Sequence, residues 1–330
     1  MILSVRHREK FGKASQAGRN LACFPDPWFG ILLIMKANPT TIMIFFIMVA
    51  LLSGFIVLGP FADETVLYQV GGITLGTVLI SLCFSLLTED YSWTDRLWST
   101  LPVAFAWIYA YKAGFSLPVV VAALLVTIWG ARLTFNFSRR GGYTGEEDYR
   151  WKILHEKIGN PVGWFFFNMF FIALYQQFLF IAFTSPLGLL PSRNVPFTPL
   201  SFIAIFLFVS FLGIETIADQ QQYTFQQAKY QLLPRKDELE DEYTQGFRSS
   251  GLFRYSRHPN YFGELGVWWS IYLYSVSFHG PLLHYTIAGP ILLTLLFIGS
   301  TIFTESITAS KYPAYATYKK KAGAIIFRFW

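Results

Sequence analysis

The sequence predicts an all-α, polytopic membrane protein of about seven to eight transmembrane helices. Composition is the first observation behind this class: 53% of the 330 residues are hydrophobic, 19% aromatic and 14% charged, which leaves too little polar surface for a soluble chain of this length. The apolar residues also fall into runs long enough to cross a bilayer, and the basic residues crowd between alternate runs.

A spanning helix needs about 20 mostly apolar residues. The runs lie near residues 40–59, 69–88, 98–112, 116–136, 162–184, 199–217, 264–280 and 285–304, the third and seventh being the weakest. Sorting Lys and Arg by alternate sides puts 23 of the 26 on one face, with only Lys112 and Arg193 opposite and Arg132 inside the fourth run. By the positive-inside rule both termini are expected in the cytoplasm. Residues 1–39 read as a basic cytoplasmic tail (Arg6, Arg8, Lys10, Lys13, Arg19) with an interfacial stretch from Trp28 to Met35, and residues 40–330 as one membrane-embedded domain. The apolar stretch neither follows the charges directly nor ends in a small-residue cleavage site, so it does not read as a signal peptide. A nucleic-acid-binding arm is a poor reading of such charge in a membrane protein.

Cys23 and Cys83 make no disulfide framework. Five scattered histidines predict no metal site. The chain holds no GxGxxG after a strand, no GxxxxGK[ST], no HExxH and no GxSxG, which sets aside the usual dinucleotide, P-loop, zinc-protease and serine-hydrolase readings.

Polar residues concentrate in four stretches on the basic face. Glu215, Asp219, Gln222 and Gln226 share one helical face by spacing, where they either line a polar cavity or form a solvated stripe. The run Gly246 to Glu264 gathers Arg248, Arg254, Arg257 and His258 before Pro259, a residue suited to the first turn of a helix. Asn260 and Glu264 then lie one turn apart in the seventh run, and an ionisable group inside a span is a functional hypothesis by default. Arginines beside a helix N-terminus suit a phosphate-bearing ligand. A second stretch, Arg132 and Asn136 followed by Ser138 to Trp151, adds Arg139 and Arg140 and an acidic run, Glu146 to Asp148. In a third, Tyr91 to Ser99, Asp95 and Arg96 stand between Trp93 and Trp98. The fourth, Glu305 to Arg328, spaces Tyr312, Tyr315 and Tyr318 before Lys319 to Lys321, and reads as a lid that folds back or as a segment docked at lipid head groups.

The run SRHPNYFGELGVWW, its arginine-rich approach and the acidic stripe upstream resemble the steroid 5-alpha-reductase C-terminal domain family, especially its DUF1295 branch. YSWTDRLWS, WGARLTFNFSRRGGYTGEEDYRW and ETIADQQQYTF extend the resemblance over residues 90–330. It implies a helical membrane reductase that holds NADPH without a dinucleotide-binding domain, in a cavity open to the cytoplasm. Asp219 then matches the acidic position that meets the cofactor and Asn260 the amide at the nicotinamide. Arg248, Arg257, His258 and Tyr261 complete the wall, with Asn136, Arg139, Gln222, Tyr315 and Lys319 as further cofactor residues.

The implied reaction delivers hydride to the β-carbon of an enone-like lipid while a proton donor polarises the carbonyl. Tyr91, Asp95 and Glu264 are the candidate catalytic residues. Expected partners are a lipophilic small molecule and membrane lipids. The host membrane is the endoplasmic reticulum in a eukaryote, or the inner or plasma membrane in a bacterium. A similar RHPNY element occurs in membrane isoprenylcysteine methyltransferases and in sterol reductases. An S-adenosylmethionine-dependent lipid methyltransferase is therefore one alternative, and a non-enzymatic lipid-binding or transport protein the other.

Overall fold

Polar connections between the helices gather at one end of the bundle. The computed structural model describes residues 64–329; the basic tail and the run at 40–59 lie outside the described residues. Helix α1 (Glu64–Thr88) leads through two single 3-10 turns, Tyr91–Trp93 and Asp95–Leu97, into α2 (Leu101–Lys112) and α3 (Leu117–Ser138). After α4 (Tyr149–Ile158) come the long α5 (Pro161–Leu189) and α6 (Pro199–Lys229), then the short α7 (Glu240–Gln245). The chain closes with α8 (Pro259–His279), α9 (Ala288–Lys311) and α10 (Tyr315–Lys321). Pairing of extended backbone among the described residues is a parallel bridge between Ser256 and Gly323.

Five segments among the described residues are long and apolar enough to cross a membrane: Gln69–Thr88 of α1, α3, α5, α6, and Tyr285–Lys311 around α9. The protein is thus all-α and polytopic. Two of the expected runs differ from the sequence reading. The third becomes α2, whose 12 residues extend about 18 Å against a hydrocarbon core of about 30 Å. The seventh begins earlier, at Pro259, and is buried over most of its 21 residues. Its weak hydropathy has a physical reason: Ser270, Tyr272, Tyr274 and Ser275 face protein, and their hydroxyls donate to the carbonyls of Gly266, Leu282, Pro118 and Tyr272. By contrast Leu75, Leu79, Ile80 and Leu87 of α1 and Phe202, Phe206 and Val209 of α6 point outward, as lipid-facing walls require.

Within α5 a π-helical stretch, Asn168–Tyr175, interrupts the apolar run. Asn168 donates to Ser85 (2.7 Å) and Gln177 to Ser81 (3.1 Å), so α5 and α1 share a buried polar seam. Helix α6 meets α8 where glycines remove side chains from the contact. A Cβ on Gly263 would lie 2.6 Å from the Glu215 Cβ, and one on Gly266 would lie 2.2 Å from the Phe211 ring. This close approach brings Glu215 and Asp219 of α6 opposite Asn260 and Glu264 of α8.

Gly266→Ala is expected to destabilise by about 1–3 kcal/mol, the usual cost of overpacking, and to lower the thermal midpoint of the detergent-solubilised protein. Gly299→Ala, where a Cβ meets nothing within 4 Å, is the matched control and is expected to leave the midpoint unchanged or raised.

Candidate functional site

Three helices each present two polar side chains one turn apart at the same level: Arg132 and Asn136 on α3, Glu215 and Asp219 on α6, Asn260 and Glu264 on α8. Arg132 is the common partner. Its Nη1 lies 2.7 Å from Asp219 Oδ2, its Nη2 2.5 Å from Glu215 Oε1 and 3.9 Å from Glu264 Oε2. Asp219 gathers the amides: Asn136 Nδ2 donates to Oδ2 at 2.7 Å and Asn260 Nδ2 to Oδ1 at 3.3 Å, while Arg140 approaches Oδ1 at 3.5 Å. Both oxygens of Glu264 accept from indoles, Trp129 at 2.8 Å and Trp268 at 3.0 Å. Those two rings meet edge to face, 4.8 Å between centroids, and form an apolar floor under the layer.

At the rim Arg139 donates to the Asn136 amide oxygen and to Gln220, and lies over the Tyr223 ring at 4.2 Å. One buried atom of the layer, Arg132 Nε, has no hydrogen-bond partner. Buried polar atoms are nearly always paired, so such an exception needs an explanation.

A second centre forms around Glu305 on α9. Arg257 Nε donates to Oε1 at 2.6 Å, Lys319 Nζ lies 2.9 Å from Oε2, and His258 Nε2 lies 3.4 Å from Oε1. Arg257 also donates to the carbonyls of Lys319 and Ala322. The C-terminal segment therefore folds back along residues 255–258, with Arg257 N bonded to Gly323 O and Ser256 Oγ to Ile325 O. His258 occupies the N-cap position of α8 before Pro259, without a side-chain cap bond, and stacks on Tyr261 at 4.9 Å. Tyr315 is buried under this segment against Phe247.

A third centre lies in the α1–α2 connection. Asp95 accepts from Trp151 Nε1 at 2.7 Å. Burial, and then the neighbouring Asp148, push its carboxyl up to about 6, against the pull of Arg150 and of hydrogen bonds from Trp151 and Ser92. Asp148 lies the other way, below the ordinary carboxylate range. Burial opposes its ionisation but is outweighed by Arg150, 2.8 Å away. Tyr91 packs its ring edge-on against Trp164 at 4.7 Å, and its backbone N–H donates to Glu147.

The residues expected from sequence thus separate into three centres. Asn136, Arg139, Asp219, Asn260 and Glu264 come together. Arg257, His258, Tyr261, Tyr315 and Lys319 surround Glu305. Tyr91 and Asp95 stand apart. Gln222 is half-buried one turn beyond Asp219, whereas its neighbour Gln221 makes the contact, accepting from Leu252 N and, through its carbonyl, from Arg248. Sequence reasoning noted Arg132 without giving it a role and missed Trp129, Trp268 and Trp151. Arg132 and Trp129 carried a signal, since three positions apart on a helix they share a face with Asn136.

A family model described as "Protein of unknown function (DUF1295)" matches residues 82–322. A Schizosaccharomyces pombe relative described as "Uncharacterized protein C594.04c" is 35% identical over 272 residues, covering 76% of this chain and 75% of its own. No solved structure matches.

Arg132→Met leaves the buried Glu215 and Glu264 without a cation and Asp219 with Arg140 alone, and is expected to cost about 3–5 kcal/mol, read as a fall in thermal midpoint. Asp95→Asn tests the third centre. With its folded pKa near 6 against an ordinary value of about 4, the wild-type native state binds the extra proton and loses stability as pH rises through that window. The variant is therefore expected to gain on the order of 1–3 kcal/mol over wild type at pH 7.5. No such gain is expected at pH 4, and thermal midpoints at the two pH values check the sign.

Proposed function

We propose, from the premise that this chain belongs to the DUF1295 family, that it is a membrane reductase using NADPH to reduce a C=C bond in a lipophilic enone. The observation that carries the reading is the buried layer in which Asp219 holds Asn136 and Asn260 from two different helices beside Arg132. Two amides and a carboxylate at one point form a donor and acceptor set complementary to a carboxamide. The unpartnered Arg132 Nε adds one donor for a polar guest. When bound, the cofactor supplies a hydride.

This chain's residues do the rest. Asp219 orients both asparagine amides through its two oxygens. Arg139, Arg140 and Arg248 stand at the rim as cations for phosphate groups, while Arg257 and Lys319, engaged with Glu305, hold the C-terminal segment that walls the mouth. The Trp129 and Trp268 floor excludes water beneath the layer. For the proton that must reach the developing oxyanion, Tyr91, Asp95 and Glu264 are the candidates: Glu264 lies inside the layer, whereas Tyr91 and Asp95 belong to the separate centre around Trp151, and a general acid must come within hydrogen-bond reach of the oxygen it protonates. Lipid-facing helices around a polar centre give an apolar substrate access from the bilayer. S-adenosylmethionine carries no phosphate, so the cations gathered at the rim, Arg139, Arg140 and Arg248, favour the reductase over the methyltransferase.

Titration of the detergent-solubilised protein with NADPH, NADH and S-adenosylmethionine tests the reading. Micromolar NADPH binding, tighter than NADH binding, is expected. Asn260→Ala is expected to weaken it about tenfold, the worth of one hydrogen bond of roughly 1.5 kcal/mol. Binding of S-adenosylmethionine alone would overturn the reductase in favour of the methyltransferase, and binding of none of the three in favour of a lipid-binding protein.

A further inference from the structure

A cleft of about 910 Å³ lies between the loop before α8 and α10. Its lining includes Ser249, Ser250, Arg254, Lys320, Lys321 and Arg328, and no carboxylate lines it. Arg254, Lys320, Lys321 and Arg328 are exposed. Arg328 donates to Lys320 O, and the Ser249 hydroxyl to Glu242. Four cations on one concave surface specify an anionic ligand.

The depth of the cleft says where that anion comes from. Helix α6 has 31 residues, about 46 Å at 1.5 Å per residue, whereas about 20 residues fill the hydrocarbon core. The surplus turns begin near Asp219, where the polar residues of the helix begin. Gln221, just beyond, bonds to Leu252 N at 3.1 Å and to Arg248, which sets the loop at 248–254 at head-group level. Meanwhile Phe327 packs on Phe262 of α8 (5.0 Å), and Phe262 on Phe211 of α6 (5.4 Å), so the C-terminal segment descends along the helices into the apolar zone. Ile326 and Phe329 point out of it, 74% and 70% exposed. Cations at head-group depth beside exposed apolar side chains form an interfacial lipid site.

We propose that this cleft binds the head group of an anionic phospholipid, with Arg254, Lys320, Lys321 and Arg328 on the phosphate and Ile326 and Phe329 against its acyl chains. The site is separate from the proposed cofactor layer.

Native mass spectrometry of the full chain, titrated with phosphatidylglycerol and with phosphatidylcholine, tests the proposal. Phosphatidylglycerol is expected to bind at least tenfold more tightly. Since each surface cation contributes on the order of 1 kcal/mol, a Lys320→Gln, Lys321→Gln double variant is expected to weaken phosphatidylglycerol about thirtyfold and leave phosphatidylcholine unchanged. Both lysines are exposed, so the fold does not depend on them, and unchanged NADPH binding by the variant checks this. Equal affinity for the two lipids, or no effect of the double substitution, would overturn the proposal. Displacement of phosphatidylglycerol by millimolar inorganic phosphate would make the cleft a free-anion site, and displacement by NADPH would make it part of the nucleotide site; either would also overturn it.

Discussion

One guanidinium among three carboxylates organises this bundle. Arg132 lies in a helix apolar enough to cross a membrane, and a charge in that setting persists only when paired and hydrogen-bonded. Its pairing to Asp219 and Glu215, with Glu264 at the edge of reach, fixes the axial register of α3, α6 and α8 to within a fraction of a turn. A slip of one turn, about 5.4 Å, would strand all four groups. Such a layer is costly as a means of stability alone, since apolar residues of similar volume often pack as well as a buried ion pair. That cost is itself a reason to read the layer as functional.

The remaining architecture follows from holding that layer at one mouth of the bundle. Gly263 and Gly266 let α6 and α8 approach closely enough for Asp219 to reach Asn260. Trp129 and Trp268 close the layer from below and also satisfy Glu264. From the other side, Glu305 clasps Arg257, His258 and Lys319, which pins the C-terminal segment against the start of α8. Lys320, Lys321 and Arg328 of the same segment line the basic cleft.

Much of this was legible in the residues. The positions 215 and 219, and 260 and 264, announce shared helical faces through their spacing, and Pro259 marks the start of α8. The centre itself was harder to read, because a lone arginine in an apolar run does not name its partner. Three carboxylates from two other helices became its partners only through tertiary packing. Trp129 shares a helical face with Arg132 and Asn136, and Trp268 with Asn260 and Glu264, but spacing does not say that both indoles bond the same carboxylate, Glu264. Spacing chose Gln222 for the polar stripe, yet the helical phase turns Gln221 toward the 248–252 loop. The polar seam of α5 and α1 was hidden because Asn168 and Gln177 are isolated in a strongly apolar stretch.

Cryo-electron microscopy of the full chain with NADPH bound tests the central claim most directly. Density for the nicotinamide end of the cofactor is expected between Asn136, Asp219 and Asn260, above the Trp129 and Trp268 floor. Density at the Arg254 and Lys321 cleft instead, with the Arg132 layer closed and unchanged, would contradict it.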